Sequence, residues 1–245
     1  MGLSKIKLGV SGAFGKMGAR ILALASCDAD FAIALALERL GHPQLGEKVF
    51  GVDVASDRSM IKDADCLVDF SSPEATLENL SFAARFKKAM VIGTTGFTDG
   101  QKKMIGAFAK KIPVVLSPNM SIGVNVLFEL VRQAARSLPV EYKAYIVESH
   151  HVHKKDAPSG TAKFLAGIVK EERGVECADV KSIRKGEIIG DHDVIFECPS
   201  DTIVLRHNAK TRDIFAQGAL QAAKFVVKKK RGLFGMADVL KGLKK

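Results

Sequence analysis

The feature that most constrains this chain is an apolar run, Ile6 to Val10, that breaks at Ser11-Gly12-Ala13-Phe14-Gly15-Lys16-Met17-Gly18 and resumes with helical periodicity. A strand that turns through glycines straight into a helix lets the backbone approach a pyrophosphate. The phosphates then sit on the unpaired N–H groups and positive dipole end of the helix. The spacing is GxxGxxG, looser than the strict GxGxxG fingerprint, so the loop alone leaves a plain tight turn open. Glu38 adds weight to the dinucleotide reading. It closes the second apolar run, Phe31 to Leu37, about 20 residues beyond the loop, where an acid can hold the adenosine ribose hydroxyls. The competing reading is a glycine turn followed by an exposed charge.

The first half of the chain continues in the same alternation. Cys66 to Phe70, Met90 to Ile92 and Val114 to Leu116 read as strands, with helices over Gly15 to Ala25, Pro73 to Lys87 and Asp99 to Lys110. Ser72 before Pro73 is a good N-cap with proline at the first helical position. The expected class is α/β, a doubly wound parallel sheet. Two loops, Gly93-Thr94-Thr95-Gly96 and Ser117-Pro118-Asn119-Met120, follow apolar strands, where an open parallel sheet binds ligands, although each alone could be a turn. Beyond Ser121 the pattern changes. A helix over Val124 to Ser137, a strand over Tyr142 to Glu148 and short strands at Lys181 to Arg184, Asp193 to Phe196 and Ile203 to Asn208 predict an α+β domain with an antiparallel sheet. The last stretch returns to helix over Phe215 to Val227.

The densest polar segment is Glu148-Ser149-His150-His151-Val152-His153-Lys154-Lys155-Asp156-Ala157-Pro158-Ser159-Gly160-Thr161-Ala162. Histidine suits proton transfer near neutral pH, and lysine can pair with a carboxylate or donate a proton. Ser159-Gly160-Thr161 then opens an apolar helical run whose first amides can receive an anion. His150, His151 and His153 could instead ligate a metal. Neighbours in an extended segment point to opposite faces, however, and no cysteine or carboxylate completes a zinc-like spacing, so no metal is expected. A solvated polar loop is the remaining alternative.

Composition narrows the partners. With 37 basic against 27 acidic residues the chain carries +10 at pH 7, which draws anions over long range. Spread-out basic residues, no Trp and only two Tyr give no stacking or groove-reading motif, so nucleic acid is not expected. No apolar run reaches the roughly 20 residues of a membrane span, and no signal-peptide core is visible, so a cytoplasmic protein is expected. Cys27, Cys66, Cys177 and Cys198 are scattered without a CxxC pair, as expected of reduced thiols.

GAFGKMG at the first turn, VIGTTGF, SPNMSIGVN, ESHHVHKKDAPSGTA and GLFGMADVL follow one another in order, and through them the chain resembles the dihydrodipicolinate reductase family along nearly its whole length. The resemblance implies a Rossmann-like cofactor domain over 1–121 and 213–245, and a substrate-binding and tetramerisation domain over 122–212. It implies NAD(P)H-dependent reduction of a cyclic dicarboxylate to tetrahydrodipicolinate in diaminopimelate and lysine biosynthesis, by a cytoplasmic homotetramer using both NADH and NADPH. Carried over residue by residue, the cofactor contacts are Gly12, Ala13, Phe14, Gly15, Lys16, Met17, Glu38, Arg39, Gly93, Thr94, Thr95, Ser117, Pro118, Asn119, Met120, Arg212 and Phe215. The proton donor is His150 and the catalytic lysine Lys154, with His151, Gly160 and Thr161 on the substrate. The chain departs from the family at Ser72, where some members carry arginine, at the bulky Phe14, and in a short stretch between Gly174 and Lys185. Two rival readings are another two-domain amino-acid dehydrogenase and a noncatalytic nucleotide sensor. An acylating dehydrogenase would need a nucleophilic cysteine beside a histidine, and none of the four cysteines has that context.

Overall fold

The computed structural model describes residues 4–243, which divide into two compact units, 1–121 with 215–245 and 122–214.

In the first unit, β1 (Ile6–Ser11) runs parallel to both β2 (Phe31–Leu37) and β5 (Cys66–Asp69). A sheet of eight strands grows from that pair in the order β12-β7-β6-β5-β1-β2-β4-β3. Its further members are β3 (Lys48–Val49), β4 (Val52–Ala55), β6 (Ala89–Ile92), β7 (Pro113–Leu116) and β12 (Gly232–Phe234). The pairings are parallel except for the edge hairpin β3–β4. Strand order reverses at β1 and β5, so the crevice beyond their carboxyl ends is the switch point where such sheets bind ligands. Continuous apolar strands explain the burial on both faces: β5 and β6 are buried at every position.

Helix α1 (Lys16–Ser26) buries Gly18, Ile21, Leu22 and Ala25 on one face. Helix α2 (Pro73–Phe86) starts as the sequence predicts, with Ser72 Oγ accepting from Ala75 N, and ends at Lys87 in the left-handed region. Helix α3 (Asp99–Ala109) opens with a full capping box between Thr98 and Gln101. Leu67, Met90, Ile92 and Val114 from the sheet meet Leu80 and Ile105 from these helices. Truncating a wholly buried leucine such as Leu67 to alanine costs about 2–5 kcal/mol through lost transfer energy and the cavity left. Helices α6 (Asp213–Val226) and α7 (Met236–Leu243) complete the C-terminal region.

In the second unit, helices α4 (Ile122–Ser137) and α5 (Gly160–Arg173) cover one face of a four-stranded sheet in the order β11-β10-β8-β9. The strands are β8 (Lys143–His150), β9 (Asp179–Arg184), β10 (Asp191–Glu197) and β11 (Thr202–Asn208). The sequence predicted an antiparallel sheet, and β8–β10–β11 is one, but β9 runs parallel to β8. The reason is α5, which serves as a crossover and returns the chain to the same end of the sheet. Strand β8 alternates strictly, with Ala144 and Ile146 in the core and Glu148 and His150 buried on the same face further along. One strand thus carries both packing and polar side chains to the region beside the start of α5.

Candidate functional site

The first unit gathers its polar groups at the carboxyl ends of its strands. Gly12 has φ +77°, and a Cβ there would lie 2.7 Å from Phe70 O. At Gly18 a Cβ would come within 2.0 Å of Gly12 O, so the third glycine lets α1 close on the turn. Helix α1 begins at Gly15 with no side-chain cap, which leaves its first-turn amides to an incoming anion. A groove of about 280 Å³ is lined by Gly12, Gly15, Glu38 and Arg39. Glu38 reaches back across it: Oε1 accepts from Phe14 N at 2.9 Å and Oε2 from Arg39 N at 3.2 Å. Phe14 does not block the turn; its ring stacks on His42 at 5.2 Å between centroids. A glycine cradle, an uncapped helix start and a carboxylate at the end of β2 fit a dinucleotide's pyrophosphate and ribose.

The groove also contains residues that the sequence did not single out, among them Ser56, Arg58 and Asn79. Arg58 is a second arginine here, with Nε donating to Asn79 Oδ1 at 3.0 Å and Nη2 lying 2.7 Å from Glu78 Oε2. Beneath them lies Asp69, wholly buried at the end of β5. Its Oδ1 accepts from Ser71 N, Ser71 Oγ, Thr76 Oγ1 and Thr94 Oγ1 at 2.6–3.1 Å, and its Oδ2 from Asn79 Nδ2 at 2.8 Å. Asn79 Nδ2 also donates to Ser11 Oγ at 2.9 Å, so one carboxylate ties the loops after β1, β5 and β6 together. Burial pushes the Asp69 carboxyl up from its ordinary pKa, against the pull of these donors. An acid inside the apolar run Cys66-Leu67-Val68-Asp69 was the available signal.

The remaining cofactor candidates fall on this same strand end or beside it. Thr94 is buried under the β5 loop, and Gly93 packs on the Phe70 ring, which a Cβ would meet at 2.2 Å. Ser117 Oγ donates to Asn119 O at 2.7 Å, and Asn119 Oδ1 accepts from Ser121 N at 2.8 Å, which folds Ser117 to Met120 into a compact turn. Gly218 of α6 lies against it, where a Cβ would fall 1.8 Å from Met120 O. Lys16 is exposed at the first position of α1, Ala13 is buried, and Met17 and Thr95 flank their turns. Arg212 is exposed just before α6 and Phe215 sits in its first turn; neither lines the groove.

In the second unit the polar loop is organised around Glu148. Its carboxylate is fully enclosed and takes both arms of Arg184, Nη1 to Oε2 at 3.0 Å and Nη2 to Oε1 at 2.8 Å. It also meets His150 Nδ1 and accepts from Ser159 N at 3.1 Å. Burial alone would push this carboxyl up, but the Arg184 guanidinium and the hydrogen bonds outweigh it and bring it down to about 2. His150 is itself buried, and desolvation, opposed by Glu148, holds its pKa below the ordinary histidine value. His192, which the sequence reading did not select, packs edge-on to His150 at 5.2 Å, with Nε2 3.2 Å from Ser159 Oγ. Burial and the neighbouring His150 bring His192 down to about 4.

Around this core sit the other predicted residues. Lys154 Nζ lies 2.9 Å from Asp156 Oδ1. Arg184 donates to Lys154 O and Asp156 O, which pins the lysine segment to β9. The ring of His151 tilts against His153, with His151 Nδ1 buried and without a hydrogen-bond partner. Ser159 Oγ accepts from Ala162 N at 3.2 Å and caps α5, and Gly160 and Thr161 form its first turn. His150, Lys154, Gly160 and Thr161 therefore share one unit with an anion-directed helix start and a histidine held by a carboxylate. No group of three His, Cys, Asp or Glu side chains able to hold a metal occurs among the described residues. Among them no helix is long and apolar enough to cross a membrane.

Comparison with known proteins gives the relationship. Residues 6–120 match the family model for the N-terminus of dihydrodipicolinate reductase and residues 123–240 that for its C-terminus. The 4-hydroxy-tetrahydrodipicolinate reductase of Geotalea uraniireducens is 39% identical over 263 aligned residues, covering 96% of this chain and 98% of the relative. The solved structure of a dipicolinate-bound dihydrodipicolinate reductase from Paenisporosarcina sp. TG-14 superposes with a TM-score of 0.81 at 24% identity, over 96% of this chain and 99% of that one. By contrast, an aspartate semialdehyde dehydrogenase from Vibrio cholerae shares the fold at a TM-score of 0.60, over 92% of this chain and 99% of that one, with 11% identity.

Proposed function

This chain belongs to the dihydrodipicolinate reductase family, and we propose that it reduces 4-hydroxy-tetrahydrodipicolinate to tetrahydrodipicolinate with a pyridine nucleotide, in the diaminopimelate route to lysine. The observation that carries this reading is the His150–Glu148 pair beside the α5 start, since a held proton donor next to an anion cradle suits a dicarboxylate that gains a hydride and a proton. The nicotinamide, when bound, supplies the hydride. Gly12 to Met17 and the α1 start hold its pyrophosphate, Glu38 the ribose, and the loops Gly93 to Thr95 and Ser117 to Met120 the nicotinamide end, with Arg212 and Phe215 contributing beside α6.

In the second unit His150 delivers the proton, while Lys154, His151 and the Gly160–Thr161 turn hold the carboxylates. Hydride addition leaves negative charge on the substrate ring system, and cations at its edge stabilise it. Lys154 leaves Asp156 to do so.

Both NADH and NADPH serve. Glu38 favours a free 2′-hydroxyl, whereas Arg39, with Arg58 in the same groove, favours a 2′-phosphate. Opposing terms leave efficiencies within about two orders of magnitude, under roughly 3 kcal/mol. Ser72, uncharged, tips the balance toward NADH. The protein acts in the cytoplasm as a homotetramer. The outward face of β8, β10 and β11 carries Tyr145, Val147, Ile195 and the half-exposed Val204, an apolar surface suited to another copy.

The test is a coupled assay in which dihydrodipicolinate synthase supplies substrate and nucleotide oxidation is followed at 340 nm. Synthase-dependent oxidation of NADH and NADPH is expected. Nucleotide binding without oxidation would favour a sensor and overturn the reading.

A further inference from the structure

We propose that Glu148 is the positioning residue of this reduction: clamped by Arg184, it orients the His150 ring so that Nδ1 keeps its hydrogen and Nε2 is the atom that delivers the proton. The inference rests on the reduction proposed above and adds which atom acts and what fixes it.

Four contacts converge on one carboxylate. Arg184 takes both oxygens, Ser159 N donates to Oε1, and His150 Nδ1 faces Oε2. A carboxylate held by a guanidinium is ionised and can only accept, so the hydrogen between it and the ring belongs to Nδ1. The other nitrogen points toward Gly190, where a Cβ would stand 3.0 Å from Nε2; glycine there keeps the approach to that atom clear. The imidazolium gives its Nε2 hydrogen to the reduced ring system of the substrate, and the neutral ring that remains keeps Nδ1–H on Glu148. A proton from solvent restores it.

Register places these groups. Residue His150 pairs with Arg184 across the parallel β8–β9 ladder, and Glu148 lies two positions back on the same face. Because Ser159 N shares Oε1 with Arg184, the same carboxylate sets the start of α5 relative to the ring. The charged and titratable groups around His150 are Glu148 on its own strand, Arg184 from β9, His192 from β10 and Lys154 from the following loop. Glu148 is the single anion among them, so it alone favours the protonated ring.

Substituting Glu148→Gln gives a directional outcome. Arg184 has only donors, so the amide oxygen must turn to it, and the amide NH₂ then faces His150. The ring answers with an acceptor at Nδ1 and moves its hydrogen to Nε2, while losing the charge that stabilised the imidazolium.

The experiment reads ring nitrogens by NMR on ¹⁵N-histidine-labelled full-length protein, with His150 assigned from a His150→Ala spectrum, alongside steady-state kinetics. In the unsubstituted protein the neutral His150 ring is expected to carry its hydrogen on Nδ1. In Glu148→Gln it is expected on Nε2, with the His150 titration and the alkaline limb of the kcat profile both moved about one pH unit lower. Turnover should fall about thirtyfold or more with KM for the dicarboxylate nearly unchanged, and Glu148→Asp should recover part of it. An Nε2–H ring in the unsubstituted protein overturns the proposal, and this arm decides even if the glutamine variant fails to fold. A folded Glu148→Gln enzyme with the original turnover and pH profile also overturns it. Absence of turnover in the unsubstituted protein, read beside an Nδ1–H ring, overturns the reduction itself and leaves no proton for Glu148 to direct.

Discussion

Each unit buries one carboxylate at the end of a strand, and the two are treated in opposite ways. Asp69 meets hydroxyls, a backbone amide and a side-chain amide, all neutral, and its pKa is raised by burial. Glu148 meets a guanidinium and an imidazole, and its pKa falls to about 2. The difference follows the chemistry each serves. Near a polyanionic cofactor a neutral network holds loops in place without adding a field, whereas proton delivery to a dicarboxylate needs fixed charges. Asp69 is scaffolding for backbone; Glu148 is scaffolding for a reactive side chain.

The strongest challenge to this contrast is removal of the charged groups themselves. His150→Ala and Lys154→Ala are each expected to lower turnover by about 10²–10⁴-fold. Dinucleotide affinity, measured by fluorescence titration, should stay within a factor of about two, because all contacts proposed for the pyrophosphate and ribose lie in the other unit. Turnover near the original value would remove that residue from the chemistry.

Stability probes the two carboxylates directly. Glu148→Ala leaves Arg184 without its buried partner and should cost about 3–5 kcal/mol by chemical denaturation. Asp69→Asn keeps most of the neutral network and should cost about 1–3 kcal/mol. Their pH dependence should differ in sign. Because the folded pKa of Glu148 lies below its unfolded value, it contributes stability that is present above about pH 4.5 and lost as pH falls toward 2, on the order of 3 kcal/mol in all. Asp69, with its folded pKa raised, contributes stability at low pH that is lost as pH rises through that value. Equal costs and parallel pH curves for the two variants would erase the distinction between charged and neutral hubs.

A smaller effect is expected at the anion cradle. Pyridine-2,6-dicarboxylate should compete with substrate, and Thr161→Val should weaken it about tenfold, the worth of one charge-assisted hydrogen bond. An unchanged inhibition constant would move the cradle away from α5. The smallest effect belongs to the exposed edge of the nucleotide groove. Arg39→Ala should lower NADPH efficiency relative to NADH by about fivefold or less, as solvent screening dictates for an exposed charge, and Glu38→Ala should shift the ratio the other way. Identical losses with both cofactors in both variants would show that neither residue reads the 2′ position.

Local patterns, readable from the chain alone, determined the glycine turn into α1, the strand-helix alternation, the caps at Ser72 and Ser159, and the run from His150 to Thr161. Each depends on residues within one or two turns of chain, so periodicity and turn chemistry suffice. Tertiary structure decided the rest. Arg184 reaches Glu148 across 36 residues only because α5 returns β9 parallel to β8 in a register that sets it opposite His150. His192 comes from a third strand, and Asn79 joins Asp69 to Ser11 across 68 residues. A one-residue slip of β8 against β9 would turn Arg184 to the opposite face and leave Glu148 buried and unpaired. The residue types that do chemistry were visible in the sequence, but the partners that fix their protonation were set by strand register, which no local pattern records.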